Sequence, residues 1–320
     1  MPELPEIETI KLSLQKKIIG LKIQKIQILS PKSFIGNPNL ASGQKILKIW
    51  RKGKLLGVDL AGQSTANRLP TTAESGRRKT EDGRQLILLF HLKMTGQIIW
   101  QGESGKGEGE RFIGGHPTED MLGKMPNTHT RVIFSFSDPL RPRSEASGSH
   151  LYFNDQRRFG WIKVTRSVIL SEAKDLKNLG PEPLEKEFTW QILKQNLLRH
   201  KSMSVKAAIM DQSVVSGVGN IYSNEAMFNA KLDPRRKVSS LTDIEFKNVY
   251  KGIKKALETG IKHGGSTLAH FVDPEGRKGY FLDYAKVYGL DHHSCKVCGT
   301  EIKKISLAGR GTYFCPNCQK

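Results

Sequence analysis

The sequence predicts an α+β multidomain protein: an N-terminal helix, a β-sandwich or barrel, a helical second half and a small metal-bound terminus. Three observations carry this reading. Apolar residues recur at helical spacing at the start, give way to short apolar runs from Leu21 to about Val164, and return to helical spacing after a Pro-rich break at Leu179-Gly180-Pro181-Glu182-Pro183. All four cysteines fall within the last 26 residues, as Cys295-x2-Cys298 and Cys315-x2-Cys318 with 16 residues between the pairs. The chain of 320 residues is 37% hydrophobic, which is enough apolar material for two separate cores.

The first helix is entered through proline. Pro5 suits a first helical position, Ile7, Ile10, Leu14 and Ile18 repeat at spacings of three and four, and Gly20 stops the pattern. The strands that follow are Ile23 to Leu29, Leu55 to Leu60, Leu86 to His91, Ile98 to Trp100, Val132 to Phe136 and Leu151 to Phe153. Two polar stretches, Ala61 to Gln85 and Gln101 to Asn127, read as long surface insertions. Beyond the Pro-rich break, Ser204 to Met210 and Ile221 to Phe228 read as helices around a turn-rich connection whose Asn220 could cap the second. A longer helix starts at the capping box Thr242-Asp243-Ile244-Glu245, carries Ile244, Val249, Ile253, Leu257 and Ile261 on one face, and ends at Gly264-Gly265.

Charge narrows the function. Lys and Arg number 51 against 31 Asp and Glu, a net charge of +20, which points to a polyanionic partner such as nucleic acid or a membrane surface. No stretch approaches the roughly 18–20 consecutive apolar residues of a membrane span, and the chain opens on Pro and Glu where a signal peptide would be basic and then apolar. A cytoplasmic protein with no membrane partner is expected, and in that compartment two Cys-x2-Cys pairs argue for one tetrahedral structural Zn²⁺ over disulfides.

Several segments can carry chemistry. In Met1-Pro2-Glu3-Leu4-Pro5-Glu6 the second-position proline allows removal of Met1, leaving Pro2 as a secondary amine. An α-amine has a reference pKa of about 7.7–8.0, so part of it is nucleophilic at neutral pH. Attack on a sugar C1′ would form an iminium ion that acidifies the next carbon and permits elimination of phosphate. Glu3 and Glu6 lie close enough to act as acid, base or orienting groups. The same residues also satisfy a plain helix start with acids on its dipole. Gly217-Val218-Gly219-Asn220 before a helix resembles a phosphate-binding turn, or a tight interhelical connection. Arg157-Arg158-Phe159-Gly160 sets cations beside an aromatic ring, as a wedge into an opened base stack requires. Arg51-Lys52-Gly53-Lys54 can be a hairpin delivering Lys54 to a site, or solvated surface; Met94 alone reads as a strand core residue. Lys303, Lys304, Arg310, Thr312 and Tyr313 between the cysteine pairs suggest a zinc hairpin with a basic tip.

Taken together in this order, these segments resemble the bacterial formamidopyrimidine-DNA glycosylase family from one end of the chain to the other. The resemblance implies a β-sandwich with an N-terminal catalytic helix (1–178), a helix-two-turn-helix domain (179–290) and a zinc finger (291–320), with double-stranded DNA held in the cleft by a monomer. It implies excision of oxidised purines and strand cleavage by β,δ-elimination. Pro2 would be the nucleophile, Glu3 the acid that assists sugar-ring opening, Glu6 a supporting group, and Lys54 a contact to the lesion or its phosphate. Met94, Arg157 and Phe159 match residues that fill the gap left by an everted nucleotide, with Arg157 facing the orphaned cytosine. Asn220 and Arg310 match phosphate contacts, and Lys206 and Tyr280 further DNA- or lesion-contacting positions. The two polar insertions and the tract from Arg141 to Ser149 depart from the pattern; Arg77, Arg78 and Lys79 offer extra DNA contacts. Leu4 and the Arg157/Phe159 pair favour this family over the pyrimidine-directed endonuclease VIII group. A lesion-binding protein without catalysis or an N-terminal-proline tautomerase fits less of the chain.

Overall fold

The computed structural model describes residues 1–61, 85–102, 111–115, 123–137, 148–166, 174–265 and 281–320. Helix α1 (Leu4–Ile18) leads into the strands β1 (Lys22–Ile28), β2 (Phe34–Ile35), β3 (Ile46–Lys52), β4 (Leu55–Leu60), β5 (Leu86–His91), β6 (Gly96–Gln101), β7 (Arg111–Gly115), β8 (Thr130–Ser137), β9 (His150–Asp155) and β10 (Trp161–Arg166). They form two five-stranded sheets, ordered β1-β8-β9-β6-β7 and β2-β10-β5-β4-β3. Pairing is antiparallel except between β2 and β10.

One core lies between the sheets, built from alternate residues of each: Leu56, Val58 and Leu60 of β4, Leu88 and Phe90 of β5, Phe134 and Phe136 of β8, Leu151 and Phe153 of β9. Phe90 and Phe134 meet across it with ring centroids 5.8 Å apart. The other face of β5, Ile87 and Leu89, is covered by Leu176 and flanked by Trp50 and Trp161. Burial on both faces is why β5 reads as an unbroken apolar run.

Helix α1 is expected and found, with one shift: it begins at Leu4, so Pro5 is second. Its apolar stripe joins two cores. Leu4 belongs to the helical core, while Ile7, Ile10, Leu14 and Ile18 belong to the sandwich.

Strands β2, β3 and β10 have no counterpart among the expected strands, and β7 corrects a stronger expectation. Residues Arg111–Gly115 fall inside the stretch Gln101 to Asn127 read as an insertion, yet all five pair with β6, from Gln97 to Gln101. Neighbouring polar residues dilute its short apolar content, and Gly114 and Gly115 look like loop residues. Gly114 is required, because a Cβ there would lie 2.4 Å from Ile10 of α1. Residues 62–84, 103–110, 116–122 and 138–147 lie outside the described residues, with Arg77, Arg78, Lys79 and most of the Arg141 to Ser149 tract among them.

The helical half contains α2 (Trp190–Leu197), α3 (Val205–Met210), α4 (Asn220–Asn229) and α5 (Asp243–Lys262). The Thr242 box caps α5 as expected, with Thr242 N–H donating to Glu245 at 2.8 Å. The expected apolar face of α5 needs one correction: Ile244 is 62% exposed, and Phe246 takes the core position. At about 100° per residue Ile244, five residues before Val249 and nine before Ile253, points away from them, whereas Phe246 stands one turn before Val249 on the buried face. A terminal hairpin, β11 (Lys303–Leu307) and β12 (Arg310–Phe314), turns through Ala308 and Gly309, both at positive φ. Among the described residues no helix is long and apolar enough to cross a membrane.

Helices α4 and α5 touch backbone to backbone. A Cβ on Gly252 would lie 2.4 Å from the Ala226 carbonyl oxygen and 3.2 Å from the Ala230 nitrogen. In an open helix Gly→Ala adds about 0.5–1 kcal/mol of stability; here forced separation costs about 1–3 kcal/mol. Gly252→Ala is therefore expected to lower the urea midpoint, and a raised midpoint would contradict this packing.

Candidate active site

The chain start lies where the two cores meet. Glu3, 2% exposed, sends its carboxylate onto the N-terminus of α4 and accepts from the N–H groups of Gly219 at 2.7 Å, Ile221 at 2.9 Å and Tyr222 at 3.4 Å. The turn read as a phosphate cradle thus holds a carboxyl group, and that group is the protein's own. Two glycines permit the approach: a Cβ on Gly219 would lie 2.3 Å from the Glu3 carboxyl carbon, and one on Gly217, at φ +85°, would lie 2.6 Å from Leu4 Cβ. Asn220 is therefore not the cap. Gly219 takes that position and Asn220 is the first helical residue, its side chain turned toward the terminal hairpin.

Glu6 completes the cluster, accepting from the Glu3 N–H at 2.7 Å and from Tyr222 Oη at 2.7 Å. The β3–β4 hairpin delivers Lys54 through Gly53, at φ +56°, and Lys54 Nζ donates to the Val218 carbonyl at 3.0 Å. Burial raises the Glu3 carboxyl above its ordinary pKa, although the Lys54 charge opposes the shift. Burial also lowers the Lys54 ammonium, opposed by Glu3 and Glu6. The α-amine at Met1 falls below its ordinary 8.0 through burial, opposed by the same two carboxyls. A carboxyl able to hold a proton beside an amine able to lose one is an acid and nucleophile arrangement. Pro2 is buried at the edge of this cluster.

Glu182 of the Pro-rich break anchors the hairpin. It accepts from the Gly53 N–H, from Arg51 Nη1 at 2.7 Å and from Ser216 Oγ at 3.0 Å, while Arg51 Nε reaches Glu8 of α1 at 2.9 Å. Gln212 fixes the opposite side, donating to Val218 O at 2.7 Å and accepting from the Gly217 N–H at 2.9 Å. Tyr222 and Glu182 escape a sequence reading because each acts on residues brought near only by folding, Glu6 and Gly53; Gln212 acts within the turn-rich connection itself, on groups five and six residues away.

A second group of site residues stands on the sandwich. Phe159 is 53% exposed and Arg157 lies over its ring at 4.9 Å. Met94 sits half-buried in the turn after β5, where Lys93 adopts φ +52° and its N–H donates to His91 Nδ1 at 3.0 Å. Burial pushes His91 down to about 3, so the ring stays neutral and able to accept. Tyr280 lies outside the described residues.

The four cysteines gather at the chain end, with all sulfur atoms within 4.8 Å of one another. Cys295 and Cys318 are 3.9 Å apart and Cys298 and Cys315 3.4 Å. Tetrahedral zinc with bonds of about 2.3 Å sets sulfur atoms about 3.8 Å apart, so the donor set fits one structural Zn²⁺. The finger's small core includes Phe228 of α4, which seats it on the helical half.

Comparison with known proteins accounts for all three parts. Residues 1–162 match the family model described as Formamidopyrimidine-DNA glycosylase N-terminal domain, and residues 179–272 its H2TH domain. The formamidopyrimidine-DNA glycosylase of Pelotomaculum thermopropionicum is 34% identical over 100% of this chain and 99% of its own length. This chain belongs to the formamidopyrimidine-DNA glycosylase family. The Listeria monocytogenes member is likewise 34% identical, with both chains covered completely. Residues 294–320 match the zinc finger found in FPG and IleRS. Among solved structures, a Lactococcus lactis FPG variant in complex with Fapy-dG-containing DNA superposes with a TM-score of 0.76 at 27% identity, covering 100% of both chains. The Thermus thermophilus MutM (FPG) protein gives 0.75 at 32% identity, covering 99% of this chain and 98% of that one.

The resemblance implied a DNA- or lesion-contacting position for Lys206, and the structure buries this side chain among protein groups. Lys206 is 1% exposed and its ammonium donates to Asn220 Oδ1 at 2.7 Å, Thr312 Oγ1 at 2.9 Å and Gly311 O at 3.4 Å. It latches α3, α4 and the zinc hairpin together. Arg310 beside this latch is exposed, and its charge is felt at Lys54, Lys206 and the Met1 amine.

Burial pushes Lys206 down to about 8. The unfolded chain keeps this amine protonated to about 10.4, so unfolding takes up a proton between the two values and the folded state gains stability as pH rises through that window. Lys206→Met should lack the gain, so its stability deficit against the parent should widen between pH 7.5 and 9.5 in denaturant titrations; a constant deficit would refute the assignment. Cys315→Ser is expected to lose bound zinc, read by metal analysis, and hydrogen-exchange protection of β11–β12, because the finger has too small a core to stand alone.

Proposed function

We propose that this protein is a base-excision-repair DNA glycosylase and AP lyase that removes oxidised purines, formamidopyrimidines and 8-oxoguanine opposite cytosine, from double-stranded DNA. The observation that carries the reading is the buried cluster at the chain start, where Glu3, Glu6 and Lys54 act together on the α-amine of Met1, the residue joined to Pro2. With Met1 removed, the Pro2 nitrogen attacks C1′ of the damaged nucleotide, the bond from C1′ to the base breaks, and the proton given up by the amine passes to the departing base. Glu3, whose carboxyl is pushed by burial toward the protonated form, donates to O4′ as the sugar ring opens to an iminium ion. The iminium acidifies C2′; loss of that proton expels the 3′ phosphate, and a second elimination expels the 5′ phosphate. Lys54 contacts the lesion or its phosphate, and Glu6 keeps Glu3 oriented through its backbone N–H.

Exposed Phe159 and Arg157, with Met94 beside them, supply the wedge. Everting a nucleotide costs a few kcal/mol of stacking, which inserted side chains partly replace. Arg157 faces the orphaned cytosine, while Asn220 and Arg310 clamp flanking phosphates. Lys206 acts indirectly, by holding Asn220 and the hairpin that carries Arg310. Tyr280 contributes a further contact to the DNA. The net charge of +20 supports a non-specific search along DNA. The protein works as a monomer in the bacterial cytoplasm, kept at the nucleoid by its affinity for DNA. Solved relatives bound to Fapy-dG DNA and to abasic-site DNA support this substrate class.

Borohydride trapping on a duplex carrying 8-oxoguanine opposite cytosine, followed by mass analysis, tests the reading. The expected product is an adduct on a peptide beginning at Pro2, and Pro2→Gly should lose most strand cleavage. An adduct formed only on a thymine-glycol duplex would move the substrate to oxidised pyrimidines. DNA binding without any adduct would leave a lesion-binding protein.

A further inference from the structure

The two turns that carry the wedge are joined underneath by one buried carboxylate. Asp155, the last residue of β9, is fully buried. Its Oδ1 accepts from Thr95 Oγ1 and from the Arg157 N–H at 3.2 Å, and its Oδ2 accepts from the Gly160 N–H at 2.6 Å. Thr95 stands next to Met94 and also accepts from the Arg157 N–H, at 3.1 Å. The loop closed this way contains Arg158 at φ +57°, a conformation that needs outside support in a residue other than glycine. Gly160 has no room for a side chain: a Cβ would lie 2.8 Å from Phe153 Cζ and 3.1 Å from Asp155 Oδ2. Below, Asp155 O accepts from Arg131 Nε at 2.8 Å, and Arg131 Nη1 donates to Thr128 O at 3.0 Å.

We propose that Asp155, acting with Thr95, is a positioning residue that makes the Met94 turn and the Arg157–Phe159 turn one preorganised unit, and so sets discrimination of the base opposite the lesion. The inference rests on the wedge role given above to Met94, Arg157 and Phe159. The physical need is entropic. A free loop loses backbone freedom at every residue when it is fixed against DNA, a cost avoided where the loop is already held. Discrimination asks more than insertion, because reading cytosine requires the Arg157 donors at a defined place and not merely bulk in the gap.

Asp155→Asn tests this with little change of shape. An amide cannot offer acceptors to both Gly160 N–H and the Thr95–Arg157 pair, so one N–H meets the amide NH₂. Excision of 8-oxoguanine is measured opposite cytosine and opposite adenine, and trapping is measured on a single-stranded abasic oligonucleotide, which needs no wedge. The cytosine-to-adenine ratio should fall about tenfold, the size of one charge-assisted hydrogen bond, with single-strand trapping within twofold of the parent. Thr95→Val removes one partner and should shift the ratio the same way by a smaller factor; it decides the matter if Asp155→Asn does not fold. An unchanged ratio in folded variants, or an equal loss on both substrates, overturns the proposal. A parent that traps nothing on either substrate counts instead against the glycosylase reading, before any variant is compared.

Discussion

Everything at the site depends on one carboxylate held by the end of a helix 216 residues further along the chain. Glu3 leaves the start of α1, crosses into the other half and satisfies N–H groups that α4 has no intrahelical partner for. That contact aligns the two halves and sets the chain start against Lys54. It also puts the carboxyl under two opposed influences, burial that favours the neutral form and a helix dipole with a nearby ammonium that favours the anion. Burial is the stronger of the two, so the net shift is upward, toward the neutral carboxyl.

The remaining contacts keep that alignment from slipping. Leu4 packs into the helical core while Ile7, one turn on, packs into the sandwich, so α1 cannot rotate without opening one of them. Arg51 and Glu182 tie the hairpin, the linker and α1 at a single point, with both side chains largely out of water. A buried ion pair adds little net stability, but losing either partner strands a charge. Its value is in registration: the hairpin that carries Lys54 and the turn that offers Val218 O are fixed by the same carboxylate.

Much of this was legible in the sequence where physics is local. β4 and β5 are apolar runs buried on both faces, and their limits are recovered residue for residue. The Thr242 box and the Gly20 and Gly264 stops are likewise local chemistry. Reading fails where a partner is distant. β7 is a strand only because β6 lies beside it, and Asn220 looks like a cap until Glu3 arrives from elsewhere. At the site, the cysteines and the opening hexapeptide declare themselves through spacing and order. Tyr222, Glu182 and Asp155 carry no such mark, since an isolated Tyr, Glu or Asp acquires its task only from the backbone groups that surround it.

The distance along the chain between Glu3 and its partners has a consequence for synthesis. A ribosome adding about 5–20 residues per second takes on the order of 10–40 s to pass from Glu3 to α4. Throughout that interval the first residues have no helix terminus to bind and stay open to the enzymes that trim a nascent chain. If Met1 is trimmed, trimming and assembly of the site are thereby put in order: the new amine is exposed when it forms, and the segment is enclosed once the helix that holds Glu3 has been translated.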